Sequence, residues 1–116
     1  MIQLRTIRND QRGVLRELYS GSIGQCNLLV MKKGSVWGGH YHKKTTEFFY
    51  VIEGEIRVLL VSRNGTYRRN KIYQTGDSFI IKPPILHTIR VVKKTSCVVL
   101  YSRRFDPTNT DIYRKV

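Results

Sequence analysis

The sequence of 116 residues has few cysteines and no long apolar run. Its two cysteines, Cys26 and Cys97, lie in the apolar stretches CNLLV and SCVVL, where a free thiol packs as a small hydrophobic group. We therefore expect neither a disulfide nor a reactive thiol. Nowhere do about eighteen apolar residues run together, and the charged start MIQLRTIRND lacks the apolar stretch of a signal peptide. The sequence predicts a cytoplasmic protein without a membrane partner.

Acidic residues are also scarce, since 8 Asp and Glu stand against 21 Lys and Arg, for a net charge of +13. Such a charge favours anionic partners. A nucleic acid is the less favoured partner, because the chain has neither zinc-finger spacing nor the aromatic-rich signature of RNA-binding modules. We expect a small anionic molecule, and the alternative is a basic surface that binds nothing.

No segment shows a helical stripe of apolar residues. Apolar side chains recur with period two or in short β-branched runs, such as TEFFYVIE and EIRVLLVS, which predict separate strands. Many short strands predict an all-β sandwich or barrel that forms a single domain over residues 1–116. Asn64-Gly65 is the strongest hairpin signal, because a type I′ turn needs positive φ at both central residues. The sequence predicts that residues 103–116 form an irregular tail that packs on the barrel or on a partner subunit.

The chain has only three histidines, and strand geometry can bring all three together. His40 and His42 project from the same face of a strand, because side chains alternate with period two. Glu47 heads the next predicted strand, and His87 follows a double-proline corner. Three imidazole nitrogens and one carboxylate oxygen suit a divalent transition metal such as Zn, Fe, Mn or Ni. The alternative is an exposed strand edge whose histidines bind nothing.

The same residues resemble the cupin superfamily. Its full first motif, G-x5-H-x-H-x4-E-x6-G, is matched by Gly34, His40, His42, Glu47 and Gly54. Its second motif, G-x5-P-x-G-x2-H-x3-N, is matched in part by Gly76 and His87, while other residues stand at three positions, Lys82, Pro84 and Val91. The motif glycines fall at expected corners. The resemblance covers about residues 25–102 and implies a double-stranded β-helix (jelly-roll) barrel, commonly a homodimer, with a metal held by the three histidines and Glu47.

Two stretches outside the metal motif resemble nucleotide-sugar epimerases. DQRGVLREL, residues 10–18, is similar to the D-x-R-G-x-x-x-E segment of relatives of dTDP-4-dehydrorhamnose 3,5-epimerase. LYSRRFDPTNTDIYR, residues 100–114, resembles the tail of the cupin half of the bifunctional capsular UDP-sugar epimerase and reductase. GGHYHK is similar to a segment of the dTDP-sugar 3,4-ketoisomerases, whose paired histidines serve as acid and base without a metal. These resemblances imply an epimerase or isomerase acting on a nucleotide-linked keto-sugar.

Proton abstraction next to a ketone is the chemistry that this resemblance implies. Histidines that ligate a metal have no free lone pair, so the candidate bases are Tyr101, Lys44, and either Tyr19 or Glu17 after the DQRG turn. Arg12 could grip a diphosphate through bidentate hydrogen bonds, with Glu17 and Tyr19 as further substrate contacts. The alternative for each is a surface or packing role, and for Arg12 a pairing with a neighbouring acid in the turn.

Two other functions stay open at this point. Three histidines and one glutamate also hold redox metals in cupin oxygenases, and a cupin can be a non-catalytic sugar- or metal-binding module. Oxygenases tend to have a dry, apolar pocket, whereas a sugar-nucleotide site needs cations for phosphates and aromatic rings for the base. The DQRG segment, the FDP tail and the net charge favour the epimerase.

Overall fold

The computed structural model describes residues 3–114, so the two residues at each end of the predicted domain, 1–2 and 115–116, lie outside the described residues. In the described range the chain forms strands and no helix. The strands are β1 (Arg5–Asp10), β2 (Gly13–Glu17), β3 (Gln25–Met31), β4 (Val36–His40), β5 (Glu47–Val61), β6 (Arg68–Gln74), β7 (Ser78–Ile81) and β8 (Leu86–Tyr101). The prediction of an all-β fold is confirmed.

Two long strands, β5 and β8, run through the whole barrel and pair with each other along their length. The first half of β5 also pairs with β7, and its second half pairs with β6. The last half of β8 pairs with β3, and its first half pairs with β4. The continuous sheet thus folds into two antiparallel layers, β3-β8-β5-β7 and β4-β8-β5-β6. This arrangement is the predicted cupin jelly-roll barrel.

Inward-facing residues from both layers form one apolar core. On β5 the residues of this core are Phe49 and Val51 before a bend, and Ile56 and Val58 after it. The pairing with β8 is irregular between these two pairs of residues, and an extra residue in a strand changes which side chains face inward. The bend therefore lets one strand supply core side chains to both layers.

Gly54 occupies this bend, with a φ of +123° and no room for a side chain. An added Cβ would meet Thr95 Oγ1 and would lie 2.6 Å from the carbonyl oxygen of Lys94. We expect Gly54→Ala to lower the free energy of unfolding by about 3 kcal/mol, because the clash adds to the strain of a left-handed φ. Gly65→Ala is the control, since Gly65 has a φ of +76° but open space around it, and should cost about 1 kcal/mol. If chemical denaturation finds the same loss of stability in both variants, the close approach of Gly54 to its neighbours does not contribute.

The connection between β5 and β6 is the hairpin predicted at Asn64-Gly65, but its turn differs from the prediction. Gly65 has positive φ, but Asn64 does not, because only glycines have positive φ in the described range. The prediction of a type I′ turn is therefore wrong. The loop is longer, because β5 ends at Val61 and β6 begins at Arg68. The side chain of Asn64 accepts hydrogen bonds from the backbone N–H and the hydroxyl of Thr66, which stabilises the wider loop.

Strands β1 and β2 form a separate hairpin that pairs with no other strand within residues 3–114. Its apolar side chains Ile7, Val14 and Leu15 are 50%, 52% and 54% exposed. The chain extends 53 Å along its long axis against 30 and 27 Å along the others. Its radius of gyration of 15.0 Å exceeds the roughly 13 Å of a compact domain near this size. Because an isolated two-stranded hairpin is marginally stable in water, this hairpin needs a surface to pack on.

The tail after β8 packs back on the barrel. The N–H of Phe105 donates a hydrogen bond of 2.9 Å to the side chain of Gln25 on β3. Farther along, Tyr113 and Tyr41 exchange backbone hydrogen bonds, and their rings stack at 5.5 Å. The tail therefore covers the connection between β4 and β5.

The two cysteines differ in environment, and neither forms a disulfide. Cys97 is fully buried, and burial raises the pKa of its thiol to about 11. Cys26 is exposed, contrary to the prediction that both thiols pack in the interior, because the odd-numbered residues of β3 are the ones that face inward. As for membrane spans, residues 3–114 contain no helix with the length and apolar character to cross a bilayer.

Candidate functional site

The ends of three strands bring the predicted ligands together. Strand β4 ends at His40, β5 begins with Glu47, and His87 is the second residue of β8. The register of β4 against β8 places His40 opposite His87, after a bulge that follows Gly38. His42 lies on the connection from β4 to β5, so the prediction that it shares a strand with His40 is wrong: β4 ends at His40, and the chain leaves the sheet before His42. Residues that are up to 47 positions apart thus converge at one end of the barrel.

The four side chains form a compact, shielded group. Each offers a ligand atom, and these atoms all lie within 4.8 Å of one another. The imidazole centroids are 4.6 to 5.4 Å apart. His87, Glu47 and His42 are 2%, 4% and 8% exposed, and His40 is half-buried. The described chain therefore contains a His/Glu group that could bind a metal ion.

Backbone carbonyls orient two of the imidazole rings. The Nδ1 atom of His42 lies 2.6 Å from the carbonyl oxygen of Asp111, and that of His87 lies 3.3 Å from the carbonyl oxygen of Ile85. Both rings then point Nε2 towards Glu47. The Nε2 of His42 contacts the Glu47 carboxylate, and the Nε2 of His87 lies 3.7 Å from it. Rings held in this way at Nδ1 are typical of histidines that ligate metals through Nε2.

His40 carries a buried nitrogen without a partner. Its Nδ1 is buried and has no hydrogen-bond partner among residues 3–114. Since nearly all buried polar atoms have a partner, such an atom needs an explanation. A cation among the four side chains would provide one, and a set of three imidazoles and one carboxylate suits Zn, Fe, Mn or Ni. The residues present therefore fit a divalent transition metal.

The environment keeps two of the imidazoles neutral. Burial, followed by the charges of His87 and His42, lowers the pKa of His40 to about 4. Burial also lowers the pKa of His87. For His42, burial acts in the same direction, but Glu47 and the carbonyl of Asp111 outweigh it, so the pKa of His42 is raised. Neutral imidazoles keep the lone pair that a metal requires.

We expect the metal-free protein to lose stability as the pH falls from about 6.5 to about 4. In this window the unfolded chain protonates His40 while the folded protein keeps it neutral, so the unfolded state binds more protons and stability rises with pH. The raised pKa of His42 acts in the opposite sense, so His40→Gln is needed to isolate the effect. In this variant, the slope of the free energy of unfolding against pH should fall by the equivalent of up to about one bound proton. Chemical denaturation of the chelated proteins at several pH values measures this slope. An unchanged slope in His40→Gln would show that His40 does not cause the loss of stability.

The four side chains line a cavity of about 460 Å³ between the barrel and the tail. Tyr101 and Lys44, two of the predicted bases, also line it. Tyr101 lies opposite Glu47 in the pairing of β8 with β5. Burial, and then the charge of Glu47, raises the pKa of the Tyr101 phenol. Lys44 is exposed at the cavity. The roles of both residues stay predictions.

The single chain places Arg12, Glu17 and Tyr19 outside this cavity. Arg12 pairs with Asp10 in the turn between β1 and β2, at an N–O distance of 2.8 Å. Glu17 ends β2, and the ring of Tyr19 packs 5.6 Å from that of Phe48. Their predicted substrate contacts stay predictions.

Sequence reasoning missed several residues that line the cavity. They include two cations, two aromatic side chains and an acid: Arg103, Arg104, Trp37, Phe105 and Asp111. A signal existed for the tail, because the FDP resemblance covers it. That resemblance also covers the Arg pair, whereas nothing local to the sequence indicates Trp37, whose position depends on how the strands pair.

Comparison with known proteins places this architecture in a family. Residues 8–113 match the family described as the polysaccharide biosynthesis C-terminal domain. No curated protein sequence is a significant match to the chain.

Solved structures share the fold at low sequence identity. CapF from Staphylococcus aureus, a capsular polysaccharide assembling protein, has a TM-score of 0.75 and 21% identity over 98% of this chain. It has also been solved with the inhibitor 3-isopropenyl-tropolone. The present chain spans about a third of the length of CapF, 34%.

Two further solved structures are sugar-modifying enzymes. QdtA from Thermoanaerobacterium thermosaccharolyticum, a sugar 3,4-ketoisomerase in complex with TDP, has a TM-score of 0.79 and 19% identity over 98% of this chain and 85% of its own. A mutant of QdtA has been solved with TDP-4-keto-6-deoxyglucose. ChmJ from Streptomyces bikiniensis, a 3'-monoepimerase in complex with dTDP, has a TM-score of 0.74 and 14% identity over 90% of this chain and 63% of its own.

Proposed function

The chain belongs to the polysaccharide biosynthesis C-terminal domain family, and from the chemistry of its cavity we propose that it is an epimerase or isomerase of nucleotide-linked keto-sugars. The observation that carries this proposal is the meeting of a His/Glu group with Tyr101 and with cationic side chains in one cavity. The names of structural neighbours support it, since QdtA is a 3,4-ketoisomerase and ChmJ is a 3'-monoepimerase. The reaction would remove a proton from the carbon next to the keto group, and would return one either to the opposite face of the same carbon or to the former keto carbon.

We further propose that His40, His42, Glu47 and His87 hold a divalent transition metal. Such an ion supplies Lewis acidity, which stabilises negative charge on the keto oxygen of the sugar. The orphan nitrogen of His40 and the carbonyl-held rings of the other two histidines support the assignment.

Tyr101 is the proposed base. Its phenol lies in the cavity, beside Glu47 along the strand pairing. Burial and Glu47 keep the phenol protonated in the metal-free protein, since both raise its pKa. A cation held by the neighbouring His/Glu group would lower that pKa, because an opposite charge favours the phenolate. Lys44 is the alternative base, as it lines the same cavity.

We propose that Arg103 and Arg104 contact the diphosphate of the substrate. Both line the cavity, and neither forms an ion pair within the part of the chain that the structure describes. Guanidinium groups bind phosphate oxygens through paired hydrogen bonds. Trp37 and Phe105, which are 40% and 50% exposed, offer aromatic faces for the base.

We propose a homodimer in which the β1–β2 hairpin packs on a second copy. The hairpin exposes its apolar side chains, and the unpaired edge strand β3 exposes Leu28 and Val30 to 68% and 51%. A two-fold axis would let each hairpin cover the apolar surface of the other copy. It would also bring Arg12 to the second copy. Sedimentation equilibrium should find a dimer, and a monomer at micromolar concentration would contradict this assembly.

A thermal-shift screen against UDP, dTDP, GDP and their sugars tests the substrate class. A ligand that binds only the folded state raises the melting temperature, with about 2.7 kcal/mol of stabilisation at 100 times Kd. We expect a shift with at least one nucleotide sugar, reduced in Arg103→Ala and unchanged in Arg68→Ala, a control on β6 outside the cavity. If no nucleotide or nucleotide sugar shifts the transition, the proposed substrate class is wrong.

A metallo-oxygenase is the second candidate, because three histidines and one glutamate also suit redox metals. The cavity has an apolar part, formed by Leu29, Phe49 and Ile89, that would suit such an enzyme. Oxygen uptake with an enediol or thiol, in the absence of any nucleotide shift, would favour it. A nucleotide shift without proton exchange on any keto-sugar would favour a non-catalytic binding module. A cytoplasmic location and the absence of membrane and nucleic-acid partners stay predictions.

A further inference from the structure

The carboxylate of Asp111, in the tail, accepts hydrogen bonds from three consecutive residues on the barrel. The N–H of Lys43 donates to Oδ1 at 2.9 Å, and the N–H groups of Lys44 and Thr45 donate to Oδ2 at 2.9 Å. The hydroxyl of Thr45 adds a bond of 2.8 Å to Oδ2. Successive N–H groups that point at one anion fix the local backbone in a single conformation.

The segment held in this way connects two of the proposed metal ligands. His42 precedes it directly, and Glu47 follows it after one further residue. Asp111 also acts on His42 itself, because its main-chain carbonyl oxygen lies 2.6 Å from His42 Nδ1. One tail residue therefore holds the ring of His42 through its backbone and the path to Glu47 through its side chain.

These contacts are partly shielded from water. Thr45 is 8% exposed, and Asp111 is half-buried. Hydrogen bonds to a carboxylate are stronger than those between neutral groups, and shielding strengthens them further. The anchor is thus strong enough to set the position of the side chains on either side of it.

We propose that Asp111 is the positioning residue of the metal centre. In this role, which rests on the proposed metal site, Asp111 sets the separation of the His42 and Glu47 ligand atoms. The tail and the metal are then coupled, because an ordered tail improves the site and a bound metal stabilises the tail by the same factor. Nothing in the cupin motifs or in the resemblance of the tail assigns this role to Asp111.

A matched set of variants separates positioning from a general effect on folding. Asp111→Ala removes the anchor, and Asp111→Asn keeps its size and one acceptor oxygen. Asp77→Ala is the control, because Asp77 is also half-buried and accepts a backbone bond, from Gln74 at 2.8 Å, in the turn between β6 and β7. All three remove one negative charge.

The first arm measures the affinity for Zn²⁺ by competition with a chromophoric chelator. We expect Asp111→Ala to bind Zn²⁺ about 10- to 100-fold more weakly than the unmodified chain, as is typical when an outer partner of a metal ligand is lost. Asp111→Asn should lie between, and Asp77→Ala should bind as the unmodified chain does. Equal affinities in Asp111→Ala and the unmodified chain would overturn the proposal.

The second arm needs no metal and tests the proposal even if the chain binds none. In imidazole ¹⁵N spectra of the metal-free proteins at alkaline pH, His42 should show the Nδ1–H tautomer in the unmodified chain and in Asp77→Ala. Asp111→Ala should show an average of both tautomers. Asp111→Asn should show a smaller population of the second tautomer, and it replaces the alanine variant in this test if that variant does not fold. An unchanged tautomer would overturn the role of Asp111, whereas a loss of Zn²⁺ binding by every protein would contradict the metal site alone.

Discussion

Replacing His87 by alanine is expected to abolish the binding of a divalent metal. His87 is 2% exposed and supplies one of four converging ligand atoms, so its removal leaves an incomplete ligand set. The loss of affinity should exceed the roughly 10- to 100-fold typical of outer partners. Elemental analysis should find close to one ion per unmodified chain and none in the variant.

Two further proteins control for packing in this experiment. His87→Gln fills more of the same space and should also lose the metal, whereas Lys82→Ala changes an exposed residue near the same corner and should keep it. In thermal scans, added Zn²⁺ should raise the melting temperature of the unmodified chain and of Lys82→Ala, but not of the two His87 variants. Equal metal content in all four proteins would show that His87 is not a ligand.

Replacing Tyr101 by phenylalanine is expected to slow proton exchange on the keto-sugar by about 10²- to 10⁴-fold, the usual contribution of a general base. The substitution removes one oxygen and leaves the ring, so the metal ligands and the barrel should be unaffected. The measurement is the rate at which deuterium from D2O enters the carbon next to the keto group. Zn²⁺ affinity measured on the same samples should equal that of the unmodified chain.

Tyr50→Phe is the matched control for this prediction. Tyr50 lies on β5, outside the residues that line the cavity, and is half-buried as Tyr101 is. Its variant should exchange deuterium at the normal rate. If Tyr101→Phe also exchanges normally while Lys44→Gln does not, the base is Lys44. If neither variant slows exchange, both assignments are wrong.

The barrel was predictable because its signals are local. Strand periodicity and the first cupin motif both indicate a jelly roll, and the motif glycines Gly34, Gly54 and Gly76 all have positive φ, as corner positions require. A strand was predicted at His40, but not the first part of β4, because VWGG contains two glycines and has little strand propensity of its own. Its place depends on pairing with β8, which no local pattern shows.

The bend in β5 shows a second limit of local reasoning. TEFFYVIE and EIRVLLVS predict two strands separated by a corner, and the structure has one strand through both. The corner at Gly54 is real, but β5 continues to pair with β8 on both sides of it. A glycine in a sequence indicates a change of direction, while the partner strand decides whether the strand ends there.

The four candidate ligands could be found from sequence because they include every histidine in the chain and follow a fixed spacing. The contacts of Asp111 could not, although the resemblance of the tail covers this residue, since its partners lie 66 to 69 positions away. The same holds for Trp37, whose side chain reaches the cavity only because β4 pairs with β8. Contacts of this kind arise from the closed barrel and not from any segment.

Deuterium exchange in the presence and absence of metal is the most direct test of a metal-assisted isomerase. The protein is stripped with a chelator, divided, and one half is reloaded with Zn²⁺, Fe²⁺, Mn²⁺ or Ni²⁺. Both halves are then incubated in D2O with TDP- and UDP-linked 4-keto-sugars. We predict deuterium at the carbon next to the keto group in a reloaded sample and little in the stripped one. Equal exchange in both halves, or none with any keto-sugar and any of the four metals, would contradict the account.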